Sequence, residues 1–103
     1  MAEPANSIAA PAGAPPSLWR LRGLFLLADA AREFVTSVEA DDQLDTICDR
    51  LITRLIYAPI RDSSDALAKL WLLDMASERG WDHHYCAGYV VGDLRRFIAR
   101  RVA

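Results

Sequence analysis

From Leu21 to Ile98 the apolar residues recur at steps of three and four, and no stretch of useful length alternates apolar with polar. That period belongs to helices and excludes a sheet as the main framework. The fold class expected is therefore all-α: a small bundle of three to four helices containing an antiparallel helical hairpin.

Four of the five prolines, Pro4, Pro11, Pro15 and Pro16, fall in residues 1–16, among alanines and Gly13. Such a segment buries too little apolar surface to offset its ordering entropy, so residues 1–16 read as a disordered Ala/Pro leader. Residues 17–103 are left as a single helical domain. A domain of that size is marginal alone and gains from a partner.

Ser17, directly after Pro16, is a natural N-cap for the first helix. Its stripe is Leu21, Leu24, Phe25, Ala28, Ala31, Val35 and Val38. The period slips between Val38 and Leu44, where Asp41 or Asp42 is expected to cap a second helix. Leu44, Ile47, Cys48, Leu51, Ile52, Leu55 and Ile56 then form the cleanest amphipathic face, which should end near Tyr57 because Pro59 disfavours helical geometry before it.

Ser64 is the expected cap of a third helix. Its polar positions are few, Lys69, Asp74, Ser77 and Glu78, so it should be central or half of an oligomer interface. Gly80 is a natural stop. Asp82 should cap a fourth helix carrying Cys86, Val90, Leu94, Phe97 and Ile98, with Trp81 stapled over its first turn.

Ala58-Pro59, the Ser64-Asp65-Ala66-Leu67-Ala68-Lys69-Leu70 opening, Trp81-Asp82 and Leu94-Arg95-Arg96-Phe97-Ile98 together resemble a loose group of short, uncharacterised helical proteins of alphaproteobacteria and their prophages. The resemblance covers roughly the second half of the chain. It implies an αα-hairpin and a bacterial or mobile-element origin, and it implies no chemistry.

Asp82-His83-His84-Tyr85-Cys86 is the one cluster with ligand chemistry. His83 and Cys86, with Cys48 and either His84 or Asp82, would make four ligands, but the spacing matches no established zinc motif. Core thiols and capping residues are the better account, so no metal and no cofactor are expected. A Cys–His nucleophile pair would need an orienting group and an oxyanion hole, and no residues point to them; the chain is not expected to be an enzyme.

The net charge of −2 gives no basic excess for a nucleic-acid backbone. Acids gather from Glu33 to Asp49 without a Lys or Arg between them, and Arg95, Arg96, Arg100 and Arg101 gather at the C-terminus. The arginines also suit a helix dipole, and the third helix is too apolar to read bases.

The function expected is a non-enzymatic protein–protein interaction module: a small regulatory, inhibitory or assembly protein, of phage or mobile-element origin, such as an inhibitor of a host defence complex. The expected surface joins Trp71, Leu72, Leu73 and Met75 to the acidic turn of Asp41, Asp42, Asp45 and Asp49. Self-association as a homodimer is its simplest use. The alternative is a nucleic-acid-associated regulator working through the four C-terminal arginines. Trp19, Trp71, Trp81, Phe25, Phe34 and Phe97 are expected core or interface anchors. No basic stretch precedes an apolar run at the start, and the longest apolar run, Leu24 to Ala28, is too short to span a bilayer. A cytoplasmic location with reduced thiols is expected, with no membrane partner.

Overall fold

The computed structural model describes residues 16–80 and 87–102. Among them lie four helices, α1 (Leu18–Ala31), α2 (Val38–Tyr57), α3 (Ser63–Arg79) and α4 (Ala87–Val102), with a short 3-10 turn at Arg32–Phe34 and no strand. The chain is all-α, as its period predicts. The leader apart from Pro16, and the whole segment from Trp81 to Cys86 with its expected cap, staple and ligand cluster, lie outside the described residues.

Ser17 caps α1 as expected, its Oγ accepting a bond from the Arg20 amide at 3.1 Å. The helix then stops earlier than its apolar stripe implies. Val35 is extended, and Ser37 caps α2 by accepting from the Ala40 amide at 3.0 Å. Asp41 and Asp42 are therefore inside α2 rather than at its cap. The physical reason is local. Val35 and Thr36 are β-branched and poor at continuing a helix, and Ser37 offers a cap followed by Glu39 and Asp41, which suit the positive end of the dipole. Val38 is 76% exposed, so it never belonged to a core stripe.

α2 ends at Tyr57, before Pro59. Asp62, not Ser64, caps α3, with its Oδ1 accepting from the Asp65 amide at 2.9 Å. Gly80 closes α3 in the left-handed region, at φ 67.

α1 packs most extensively along α2 as an antiparallel pair, and α3 touches all three other helices. The core runs through Leu18, Leu21 and Phe25 of α1, Cys48 to Ile56 of α2, Ala68, Leu72, Met75 and Ala76 of α3, and Val90, Leu94 and Phe97 of α4.

Two ionisable residues sit inside that core. Asp65 and Lys69, one turn apart on α3, are both fully buried. Asp65 accepts from the Leu18 amide at 3.0 Å and from the Arg61 amide and Nε at 2.9 and 3.2 Å. Lys69 Nζ donates to the Ile56 carbonyl at 2.7 Å and to Asp93 Oδ2 at 2.9 Å. One turn of α3 thus ties down the start of α1, the end of α2 and the middle of α4. Lys69, one of the few polar positions on α3, is thus part of the core.

Candidate functional site

The four apolar residues expected to form an interface on α3 do not share a surface. Leu72 is fully buried and Met75 is buried, so both belong to the core. Trp71 and Leu73 are half-buried and pack against it. Trp71 meets Phe25 edge-on at 5.9 Å between ring centres, which makes it chiefly a wall of the core. Its outer face is covered by Arg22, whose guanidinium lies 5.2 Å from the Trp71 ring and 4.3 Å from the Trp19 ring. Beside this stack an open cleft of about 300 Å³ is lined by Leu26, Trp71, Asp74, Met75, Glu78 and Arg79.

The acidic turn is divided. Arg32, one residue before the acid-only stretch, reaches over it: Nε and Nη2 donate to Asp41 at 3.1 and 3.3 Å, and Nη1 donates to Asp45 at 3.0 Å. The Arg32 hydrogen bond holds the Asp41 carboxyl below the usual carboxylate range. Asp42 and Asp49 are exposed on α2. The sequence signal for this clamp was the spacing of Arg32, Asp41 and Asp45 across a chain reversal, which stayed hidden while α1 was read through to Val38.

The four C-terminal arginines are all exposed, but they are not equivalent. Arg96 donates to Asp93 at 2.6 Å, and Arg101 lies 4.8 Å from the Phe97 ring on its own helix. Arg95 and Arg100 have no acid partner among the described residues. Burial opposes ionisation of Asp93, but hydrogen bonds from Lys69 and Arg96 outweigh it and hold that carboxyl low.

No group of three or more metal-ligating side chains occurs among the described residues. Cys48 is a buried free thiol in the α1–α2 core, and burial pushes its pKa up, which makes it a poor nucleophile. None of the described helices is long and apolar enough to cross a membrane.

The surface the sequence reading missed lies on α1. Leu18, Leu21 and Phe25 face the core. At 100° per residue, Gly23, Leu24, Leu27, Ala30 and Ala31 fall on the opposite side. Leu24 is 40% exposed and Leu27 71% exposed, and a side chain built at Gly23 would meet nothing within 4 Å. Phe34, expected as an anchor, continues this side at 84% exposure. Of the charged residues within α1, Arg22 turns onto the tryptophans and Asp29 into a two-bond pair with Arg79 at 2.7 and 3.2 Å, while Arg20 stands exposed at the start of this side. The signal was present in the sequence as Leu24 and Leu27, which cannot both face a core already holding Leu21 and Phe25.

α3 also exposes Leu67 and Leu70, but Asp74 and Glu78 share that side and interrupt it. No protein-family model, curated protein or solved structure matches the chain.

Proposed function

We propose that this chain is a non-enzymatic protein–protein interaction module, a small regulatory, inhibitory or assembly protein. The observation that carries the reading is the outer face of α1, where Leu24, Leu27 and Phe34 are exposed, bounded by Arg20 and Glu33. A contiguous apolar face on so small a domain marks a contact site rather than a tolerated surface. The docking surface is accordingly placed on α1 rather than on Trp71, Leu72, Leu73 and Met75. The exposed acids Glu33, Glu39 and Asp42 at its far end supply a polar rim.

The chemistry left by the described residues supports a binding role. The one described thiol is buried with a raised pKa, and the buried Asp65 and Lys69 are consumed by backbone and ion-pair contacts inside the core.

The test is affinity capture from a lysate of cells that express the protein, scored for protein and nucleic acid. A stoichiometric protein lost on Leu27→Asp is the expected result. The nucleic-acid alternative has one observation in its favour: Arg95 and Arg100 are exposed, with no acid partner among the described residues. Retention on heparin that falls steeply with salt and disappears on Arg95→Ala with Arg100→Ala would replace the first reading with the second.

A further inference from the structure

We propose that Arg22 and the cleft beside it form a binding site for an apolar carboxylate, with the carboxylate paired to the Arg22 guanidinium and the apolar group seated against Leu26, Trp71 and Met75. The site lies between α1 and α3 and is independent of the docking face on the outer side of α1.

The first argument is a cation without an acceptor. Arg22 Nε is enclosed and has no hydrogen-bond partner. The side chain makes no hydrogen bond or ion pair with any described residue. It is held instead by the rings of Trp19 and Trp71, at 4.3 and 5.2 Å. Those rings stabilise the charge, but they give its N–H groups nothing to bond to. Nη1 and Nη2 are not enclosed, so an oxyanion reaches the guanidinium end-on through that pair. Because the rings already hold the side chain, it loses little freedom when an anion binds.

The second argument is placement. Trp19, Arg22 and Leu26 recur at helical steps along α1, as Trp71, Met75 and Glu78 do along α3. The two helices run side by side in the same sense: Leu18 bonds to Asp65, Phe25 meets Trp71, and Asp29 pairs with Arg79. The two stripes therefore wall one groove. Arg22 stands over Trp71 at one end, the cleft of about 300 Å³ follows, and the Asp29–Arg79 pair closes the other end with no net charge.

The lining selects the ligand. A volume of about 300 Å³ is at the low end for ligand pockets, enough for a branched aliphatic group and too small for a large cofactor. Asp74 and Glu78 stand exposed on the α3 rim and repel a ligand carrying several negative charges. Asp74 has no partner among the described residues and lines the cleft, so it is placed to accept the amide N–H of a peptide's last residue. A peptide C-terminus with an apolar last side chain supplies all three groups: carboxylate, apolar side chain and amide.

Two-dimensional proton–nitrogen NMR of the full chain, following the indole N–H signals of Trp19 and Trp71, tests this with N-acetyl-leucine as the probe. Saturable shifts are expected, with Kd of about millimolar for a probe so small. N-acetyl-leucinamide lacks the carboxylate and N-acetyl-alanine lacks the branched side chain, and each should bind at least about tenfold more weakly. Arg22→Lys should also weaken N-acetyl-leucine about tenfold, because lysine keeps the charge and loses the planar pair of donors. If that variant does not fold, the acid and amide probes on the unaltered chain decide. No saturable shift up to about 20 mM overturns the site. Equal binding of N-acetyl-leucine and its amide overturns the carboxylate contact, and equal binding of N-acetyl-alanine overturns the apolar seat. Isocaproate binding as tightly as N-acetyl-leucine would replace the peptide end with a small apolar acid, and tighter binding of inorganic phosphate would overturn the apolar ligand altogether.

Discussion

Removing the Asp65 carboxylate should cost this domain about 3 kcal/mol, and the figure can be assembled from the contacts it makes. Asp65 is fully buried and accepts from two backbone amides, Leu18 in the first turn of α1 and Arg61 in the α2–α3 connection. Asp65→Ala leaves both without a partner. An orphaned buried donor costs about 1–3 kcal/mol. The Leu18 bond is fully buried and sits high in that range, at about 2, and the Arg61 bond is partly buried and sits low, at about 1. The ion pair to the Arg61 side chain adds little, because that side chain is 41% exposed. Arg61→Ala should therefore cost below about 1 kcal/mol. Asp65→Asn should fall between, since its amide keeps one acceptor for Leu18 but turns a donor toward Arg61. Urea unfolding followed by far-UV circular dichroism reads all three. With a slope of about 1 kcal/mol per M, suited to a chain this short, Asp65→Ala lowers the midpoint by about 3 M. If that variant does not fold, Asp65→Asn carries the comparison. A loss below about 1 kcal/mol for Asp65→Ala, or equal losses for Asp65→Ala and Arg61→Ala, would show that the two amides are satisfied some other way.

Acid should destabilise the fold from one direction only. Asp29, beside Arg79, and Asp93, beside Lys69 and Arg96, have carboxyls held below their unfolded values. Their contribution is complete above the unfolded carboxylate pKa of about 3.9 and is lost as pH falls through the lower folded values. The urea midpoint should hold steady from about pH 7 to pH 5 and fall below about pH 4; a midpoint that rises on acidification contradicts it. In a Cys86→Ser background, Cys48 should react with iodoacetamide much more slowly in the native state than in urea, and equal rates would place the thiol outside the core. Gly80→Ala should cost about 1 kcal/mol, since the added side chain has space but φ is 67; a neutral thermal midpoint would count against a left-handed cap there.

The elements whose boundaries were legible are those marked by two agreeing signals. Ser17 follows Pro16, Tyr57 precedes an Ala-Pro, and Gly80 ends a run of apolar steps, and all three stand where expected. The α1–α2 boundary was not legible from apolar spacing because Val35 and Val38 keep the helical step while facing away from any core. Only the cap chemistry of Ser37 reveals the break. The α3 surface was not legible for a related reason. The four residues expected there, Trp71, Leu72, Leu73 and Met75, do not share one side of a helix, because at 100° per residue they spread over more than half of its circumference. On a helical projection Asp65, Ala68, Leu72 and Ala76 fall on one stripe, so the inward set was available from spacing, but only by admitting a charge to it. Nothing in composition announces that admission; it depends on Leu18, Ile56 and Asp93 arriving from three other helices and Arg61 from the α2–α3 connection.

α1 and α3 both lack a clean division between apolar and polar sides, and the contacts separate the two cases. On α3 the buried charges find their partners within the chain. On α1 the second apolar side finds none among the described residues. Two aspartate substitutions distinguish a helix complete in itself from one awaiting a partner. Trp71→Asp puts a carboxylate against Phe25 and beside the Arg22 stack, and removes a half-buried ring, so it should cost about 3 kcal/mol whatever the assembly state. Leu27→Asp touches a mostly exposed site and should change monomer stability by less than about 0.5 kcal/mol. Its effect should appear in captured partner instead. Urea unfolding of the two variants, paired with affinity capture, separates the two. If Leu27→Asp unfolds the isolated monomer as severely as Trp71→Asp, the outer side of α1 is covered within the chain, and the assignment of a docking face to it fails.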